Sequence, residues 1–113
     1  MRVVLKYGGS SVATPEKIKN IADYIIKLKK EKYEEIVVVA SAMGKTTDEL
    51  IKKAREYAES PEQRELDSLL STGEQQTIAF LAIALNAKGQ KAISLTGAQA
   101  QVETTGIHTK SKI

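Results

Sequence analysis

Apolar and polar residues follow two different spacings in the first part of this chain. Short apolar runs rich in valine and isoleucine predict strands at residues 2–5 and 36–40. A run that is apolar on both faces is typical of a parallel sheet covered by helices. Between the two runs, apolar residues recur at helical spacing and predict an amphipathic helix over 15–31. The order strand, helix, strand predicts a βαβ unit with a right-handed crossover.

Helical spacing continues after the second run. It predicts a helix over roughly 47–58 and a second helix that begins with Ser60 as its N-cap. The small and polar residues at 71–75 predict an interruption of that second helix. A further helix is then predicted to run to about Ala87, and its mostly apolar or small residues indicate that it is buried.

One more strand is predicted near the end of the chain. Gly89 suits the left-handed position that closes a helix, and residues 91–95 again form a short apolar run. A brief strand is also predicted at 102–104. A sheet this small would leave an exposed edge, so we expect the chain to be a piece of a larger domain.

The turn between the first strand and the first helix carries the first candidate chemistry. Gly8 and Gly9 would let the backbone approach a ligand, and free N–H groups near a helix start bind anions such as phosphate. Thr14 and Pro15 suit the N-cap and the first position of the helix. Lys6 adds a positive charge at the end of the strand. The spacing matches neither a Walker A loop nor a Gly-x-Gly-x-x-Gly fingerprint, so an ordinary tight turn is the alternative.

Two more small-residue loops follow predicted strands, at residues 41–48 and 96–99. The carboxyl ends of parallel strands meet at one edge of a sheet, where open α/β sheets bind their ligands. We therefore expect the loops to face one crevice if their strands are neighbours.

Composition narrows the class of protein. The chain has 113 residues, 42% of them apolar and 27% charged, as expected of a soluble globular protein. It has no cysteine, which excludes disulfides and thiolate metal sites, and we assign no metal ligand among its residues. No apolar run approaches the roughly 20 residues that cross a membrane. No signal-peptide pattern is present, so we expect a cytoplasmic protein with no membrane partner.

The net charge of +3 does not indicate a nucleic-acid partner. The densest basic run, residues 27–32, ends a predicted helix, where cations complement the helix dipole. The chain has only four tyrosines and one phenylalanine, and they are not interleaved with the basic residues. This distribution argues against base stacking.

Several of these stretches together resemble the motifs of aspartate kinases. In order along the chain they are residues 6–12, 37–50, 64–75 and 94–100, the last followed by His108 and Ile113. The resemblance implies the amino-acid kinase (carbamate kinase-like) fold, a three-layer αβα arrangement around a largely parallel sheet. Residues 1–113 would form the N-terminal portion of the catalytic domain, with the fold incomplete and no regulatory domain.

The resemblance also implies a reaction. The γ-phosphoryl group of ATP, with Mg²⁺ bound through the nucleotide, would be transferred to the β-carboxylate of L-aspartate. The product, 4-phospho-L-aspartate, is the first intermediate toward lysine, threonine and methionine. A homo-oligomer is expected. In the family, part of the site follows the position of Ile113, so activity of this chain alone is left open.

The resemblance assigns roles to three groups of residues. Lys6 would be catalytic and stabilise the transferring phosphoryl group. The ATP phosphates would be held by Lys6, Tyr7, Gly8, Gly9 and Ser10. L-Aspartate would be held by Ser41, Thr47 and Glu74.

Each assignment has a structural alternative. Thr47 could cap its helix, and Glu74 could occupy an early helical position, where the dipole favours acids. Asp67 is interpreted as structural, and His108 as a loop residue.

Two other functions also remain open. The chain could belong to another amino-acid kinase, acting on acetylglutamate, glutamate, carbamate or UMP, or it could be a non-catalytic scaffold or assembly module.

Overall fold

Two parallel strands and three helices make up residues 1–95, the part of the chain that the computed structural model describes. In chain order they are β1 (Arg2–Tyr7), a 3₁₀ turn (Gly9–Val12), α1 (Pro15–Glu31), β2 (Glu35–Ala40), α2 (Thr46–Ala54) and α3 (Gln63–Ala87). None of the helices within residues 1–95 combines the length and apolar character that crossing a membrane requires.

The predicted βαβ unit is confirmed. β1 pairs with β2 in parallel, with the register running from Arg2 opposite Glu35 to Tyr7 opposite Ala40. The helix between them has the predicted bounds. It begins as expected, because the Thr14 hydroxyl accepts a hydrogen bond from the Lys17 backbone N–H at 3.2 Å.

The core lies on one face of this two-stranded sheet. Leu5 and Val38 on that face pack against a buried cluster that α1 and α3 share. Alternation along the strands puts Val4, Lys6 and Val39 on the opposite face. Val4 is 43% and Val39 36% exposed, so this open face is not covered by residues 1–95. Both faces were predicted to be buried, and within the described residues this holds for one.

The predicted interruption at 71–75 is wrong, because α3 is one unbroken helix. The Ser71 and Thr72 hydroxyls donate hydrogen bonds to the carbonyls of Ser68 and Leu69, each at 2.7 Å. Hydroxyls that bond back to the preceding turn do not cap a new helix. Ser60 is not a cap either, because α3 begins only at Gln63.

The helix after β2 is shorter than predicted, ending at Ala54 rather than near residue 58.

The predicted strand at 91–95 is also wrong. The Asn86 side chain accepts a hydrogen bond from the Ala92 N–H at 2.9 Å and donates one to the Ala92 carbonyl at 3.1 Å. These two bonds tie the segment to the end of α3. Gly89 has the predicted left-handed conformation, with φ of +86°. The predictions at 96–99 and 102–104, and His108, lie outside the described residues.

Candidate functional site

The loops that follow β1 and β2 are in direct contact. The Gly44 N–H donates to the Gly9 carbonyl at 3.0 Å, and the Ser41 N–H donates to the Tyr7 carbonyl at 3.0 Å. Parallel pairing of the two strands brings both loops to one edge of the sheet. The prediction that these two loops lie together is therefore confirmed.

The two glycines of the first loop differ in their surroundings. A Cβ on Gly9 would lie 3.0 Å from the Ala42 carbonyl oxygen, so Gly9 permits the close approach of the second loop. A Cβ on Gly8 would meet nothing within 4 Å. Gly8 is thus the glycine whose backbone faces open space.

Residues 6, 7 and 10 surround this turn. Lys6 is exposed on the open face at the end of β1. Tyr7 turns the other way and packs against the core, where burial, and secondarily Tyr24, raise the pKa of its phenol above 10. Ser10 is exposed, and its carbonyl accepts a hydrogen bond from Lys17 Nζ at 2.9 Å. The sequence analysis did not identify this lysine contact.

A cleft of about 390 Å³ lies between the second loop and two helices. Its lining residues are Ser41, Ala42, Thr47, Asp67, Leu70, Ser71 and Glu74. The three residues predicted to bind substrate, Ser41, Thr47 and Glu74, are thus gathered in one cleft. Ala42 joins the cleft to the first loop, since its carbonyl adjoins Gly9.

Three lining residues on α3 were missed or interpreted differently. Asp67 was interpreted as structural, and Leu70 and Ser71 were not singled out. Together with Glu74 they follow the spacing i, i+3, i+4, i+7, which marks one face of a helix. That signal was hidden by the interruption predicted at 71–75.

Two structural alternatives can now be judged. Glu74 lies midway along α3, far from the first turn where the helix dipole favours acids. Thr47 lies inside α2, whose N-cap is Lys45, and no side chain caps that helix. The position of each residue therefore needs another explanation, and lining the cleft provides one.

The cleft combines hydroxyls with carboxylates. Glu74 and Asp67 carry negative charge, and Asp67 Oδ1 accepts a hydrogen bond from Gln63 Nε2 at 2.6 Å. Ser41, Thr47 and Ser71 contribute hydroxyls. Such a lining suits a small polar ligand that carries an ammonium group and hydrogen-bond acceptors.

Gly73 sets how closely α3 approaches the second loop. It is buried, and a Cβ there would lie 2.9 Å from Ala42 Cβ and 3.2 Å from Thr46 Cγ2. A glycine inside a helix costs about 1 kcal/mol relative to alanine, so the close contact gives its presence a physical reason.

We expect Gly73→Ala to lower the free energy of unfolding by about 2 kcal/mol. Overpacking costs about 1–3 kcal/mol, and the upper end applies because Ala42 Cβ is fixed to the backbone. About 1 kcal/mol of helix propensity is regained. Urea unfolding measures the difference. The matched control is Gly8→Ala, where φ is −81° and the space is open. Equal stability of the two variants would contradict the packing argument.

Comparison with known proteins gives three findings. The sequence model of the Amino acid kinase family matches residues 1–113. The chain is 49% identical over 111 residues to the aspartokinase of Geobacillus stearothermophilus and to aspartokinase 2 of Bacillus subtilis (strain 168). Each alignment covers 98% of this chain and 27% of the relative, so the chain spans about a quarter of the length of the relatives it matches.

The fold is similar to a crystal structure of aspartate kinase from Synechocystis. The TM-score is 0.82 and the sequence identity 48%, over 88% of this chain and 17% of that one. The region of that enzyme that matches this chain is thus a small part of a longer chain.

Proposed function

This chain belongs to the amino acid kinase family, and on that basis we propose that the protein containing it phosphorylates L-aspartate on the β-carboxylate with ATP. The relatives above bear the name aspartokinase or aspartate kinase. They are 48–49% identical to this chain, and the alignments with the two curated relatives span 98% of it. The proposal covers the whole protein, of which this chain would supply the phosphate loop and part of the substrate pocket.

The observation that carries the proposal is the cleft that gathers Ser41, Thr47 and Glu74 beside the glycine turn. Ala42 contacts that turn and also lines the cleft. A substrate in the cleft and phosphates at the turn would therefore lie on either side of one residue. Phosphoryl transfer needs this adjacency of acceptor and donor.

The lining chemistry fits aspartate in particular. The Glu74 carboxylate is a suitable partner for the α-ammonium group. The hydroxyls of Ser41 and Thr47 are suitable donors to a substrate carboxylate. The β-carboxylate is already a nucleophile, so the reaction requires no general base.

The transfer step rests on charge neutralisation. A β-carboxylate oxygen forms a bond to the γ-phosphorus, the bond from that phosphorus to the bridging oxygen breaks, and ADP leaves with the electron pair. Lys6 would stabilise the charge on the moving phosphoryl group. Backbone groups of Tyr7, Gly8, Gly9 and Ser10 would hold the remaining phosphates.

Mg²⁺ would enter with ATP, bound through the nucleotide. This ion prefers phosphate oxygens and water to a cage made entirely of protein ligands. The product would serve the formation of lysine, threonine and methionine. We place the protein in the cytoplasm as a homo-oligomer whose partners are small molecules.

No observation favours the other functions. The relatives above are named for aspartate and not for acetylglutamate, glutamate, carbamate or UMP. An anionic cleft lining suits a free ammonium better than an acylated amine. A scaffold would not need these polar groups gathered at a loop edge.

The proposal predicts ADP release from Mg-ATP that depends on L-aspartate. The measurement uses the complete protein, with its intact mass checked in the same tube. N-Acetyl-L-glutamate, L-glutamate, carbamate and UMP serve as competing acceptors. ADP release that is faster with any of these than with L-aspartate would refute the aspartate assignment.

A further inference from the structure

Lys17 occupies an unusual position for a lysine. It lies in the first turn of α1, and its backbone N–H donates the capping hydrogen bond to the Thr14 hydroxyl. The start of a helix carries a partial positive charge, so a cation there is locally unfavourable. A residue that opposes a local preference indicates that tertiary structure uses it.

The side chain of Lys17 reaches back to the glycine turn. Its Nζ donates a hydrogen bond to the Ser10 carbonyl at 2.9 Å, seven residues earlier in the chain. Within the same turn, the Ser11 N–H donates to the Gly8 carbonyl at 3.1 Å. With the Gly44 N–H bond to the Gly9 carbonyl, the loop is therefore held at three points: inside the turn, from the second loop and from α1.

Other lysines of α1 do not make this contact. Lys29, in the last turn, donates to the Glu34 carbonyl at 2.6 Å, where the helix dipole favours a cation. Lys19 is exposed, and its side chain makes no hydrogen bond or ion pair with any other residue of the described segment 1–95. Lys17 thus differs from its neighbours on the same helix.

We infer that Lys17 is a positioning residue for the phosphate loop, orienting the Ser10 peptide and offsetting the negative end of its carbonyl. The inference rests on the proposed function, which places ATP phosphates at this turn. A carbonyl oxygen beside bound phosphate is repulsive unless a cation compensates it. Lys17 supplies that cation without itself being assigned to the reacting atoms.

The test compares three variants of the complete protein. Lys17→Met keeps an unbranched side chain, one atom shorter, and removes its charge. Lys17→Arg keeps the charge, and Lys19→Met is the matched control. Binding of a non-hydrolysable ATP analogue with Mg²⁺ is measured by calorimetry. Steady-state kinetics give separate KM values for ATP and L-aspartate, and thermal unfolding gives Tm.

We expect Lys17→Met to weaken analogue binding and raise the KM for ATP by about tenfold, the effect of one charge-assisted hydrogen bond. The KM for aspartate and Tm should stay close to wild type, and Lys17→Arg should restore most of the loss. Lys19→Met should match wild type. This pattern separates loop positioning from a general structural role.

Three results would overturn the inference. One is a Lys17→Met protein that binds the analogue as Lys19→Met does. Another is an equal rise in both KM values together with a lower Tm. The third is a wild-type protein that does not bind the analogue. A wild-type protein that binds it but shows no aspartate-dependent turnover overturns the aspartate assignment alone, and the binding comparison still decides the role of Lys17.

Discussion

Replacing Lys6 with methionine is expected to lower the turnover of aspartate phosphorylation by at least about a thousandfold, with the fold intact. A preorganised positive charge at a transferring phosphoryl group contributes effects of about this size. Lys6 is exposed at the end of β1, on the open face of the sheet. Its side chain makes no hydrogen bond or ion pair with other residues in the range 1–95. Losing the charge should therefore lower turnover and change the stability of the fold very little.

The measurement is steady-state ADP release by the complete protein, with the circular dichroism spectrum and Tm recorded for each variant. Lys27→Met is the matched control, because Lys27 is also exposed and its side chain has no such partner in the described part of the chain. Lys6→Arg adds a second test, since a guanidinium keeps the charge but not the compact shape of an ammonium. Turnover close to wild type in Lys6→Met would remove Lys6 from the proposed mechanism.

The βαβ unit could be predicted because its signals are local. Valine and isoleucine runs mark both strands, and Thr14 with Pro15 marks the start of α1. The adjacency of the two loops then followed from parallel pairing alone. These features depend on neighbours in sequence or on a general rule of topology.

The errors arose where distant residues decide the structure. Serine, threonine and glycine at 71–73 are weak helix formers, yet α3 continues through them. Gly73 is required there because Ala42 and Thr46 pack against it. No local sequence pattern predicts that contact. The predicted third strand failed similarly, because Asn86 binds the backbone of Ala92.

The candidate site was predicted in part for the same reason. The resemblance to a family supplied Ser41, Thr47 and Glu74, and the structure gathers them in one cleft. That Asp67 lines the same cleft could be predicted only if α3 was known to be one unbroken helix. The contact of Lys17 with the glycine turn could not be predicted from helical spacing, because it runs from α1 back into the preceding turn.

Glu74→Gln is expected to lower kcat/KM for L-aspartate by about a hundredfold, while the KM for ATP changes by less than about twofold. The substitution keeps the shape of the side chain and removes the charge. A hydrogen bond to a charged group contributes about 1.5–3 kcal/mol, which corresponds to roughly ten- to more than hundredfold. Since Glu74 lies midway along α3, the helix dipole adds little to its effect.

A substrate analogue sharpens this test. Succinate has both carboxylates of aspartate but lacks the α-ammonium group. If Glu74 binds that ammonium, the wild-type protein should prefer aspartate strongly, and Glu74→Gln should lose most of that preference. Glu65→Gln is the matched control, because Glu65 is exposed on the same helix and does not line the cleft. A Glu74→Gln protein that loses aspartate and succinate turnover equally would indicate that Glu74 maintains the shape of the cleft. If Glu74→Gln keeps the full preference for aspartate, another residue binds the ammonium group. Asp67 would be the candidate, because it is the other carboxylate in the lining.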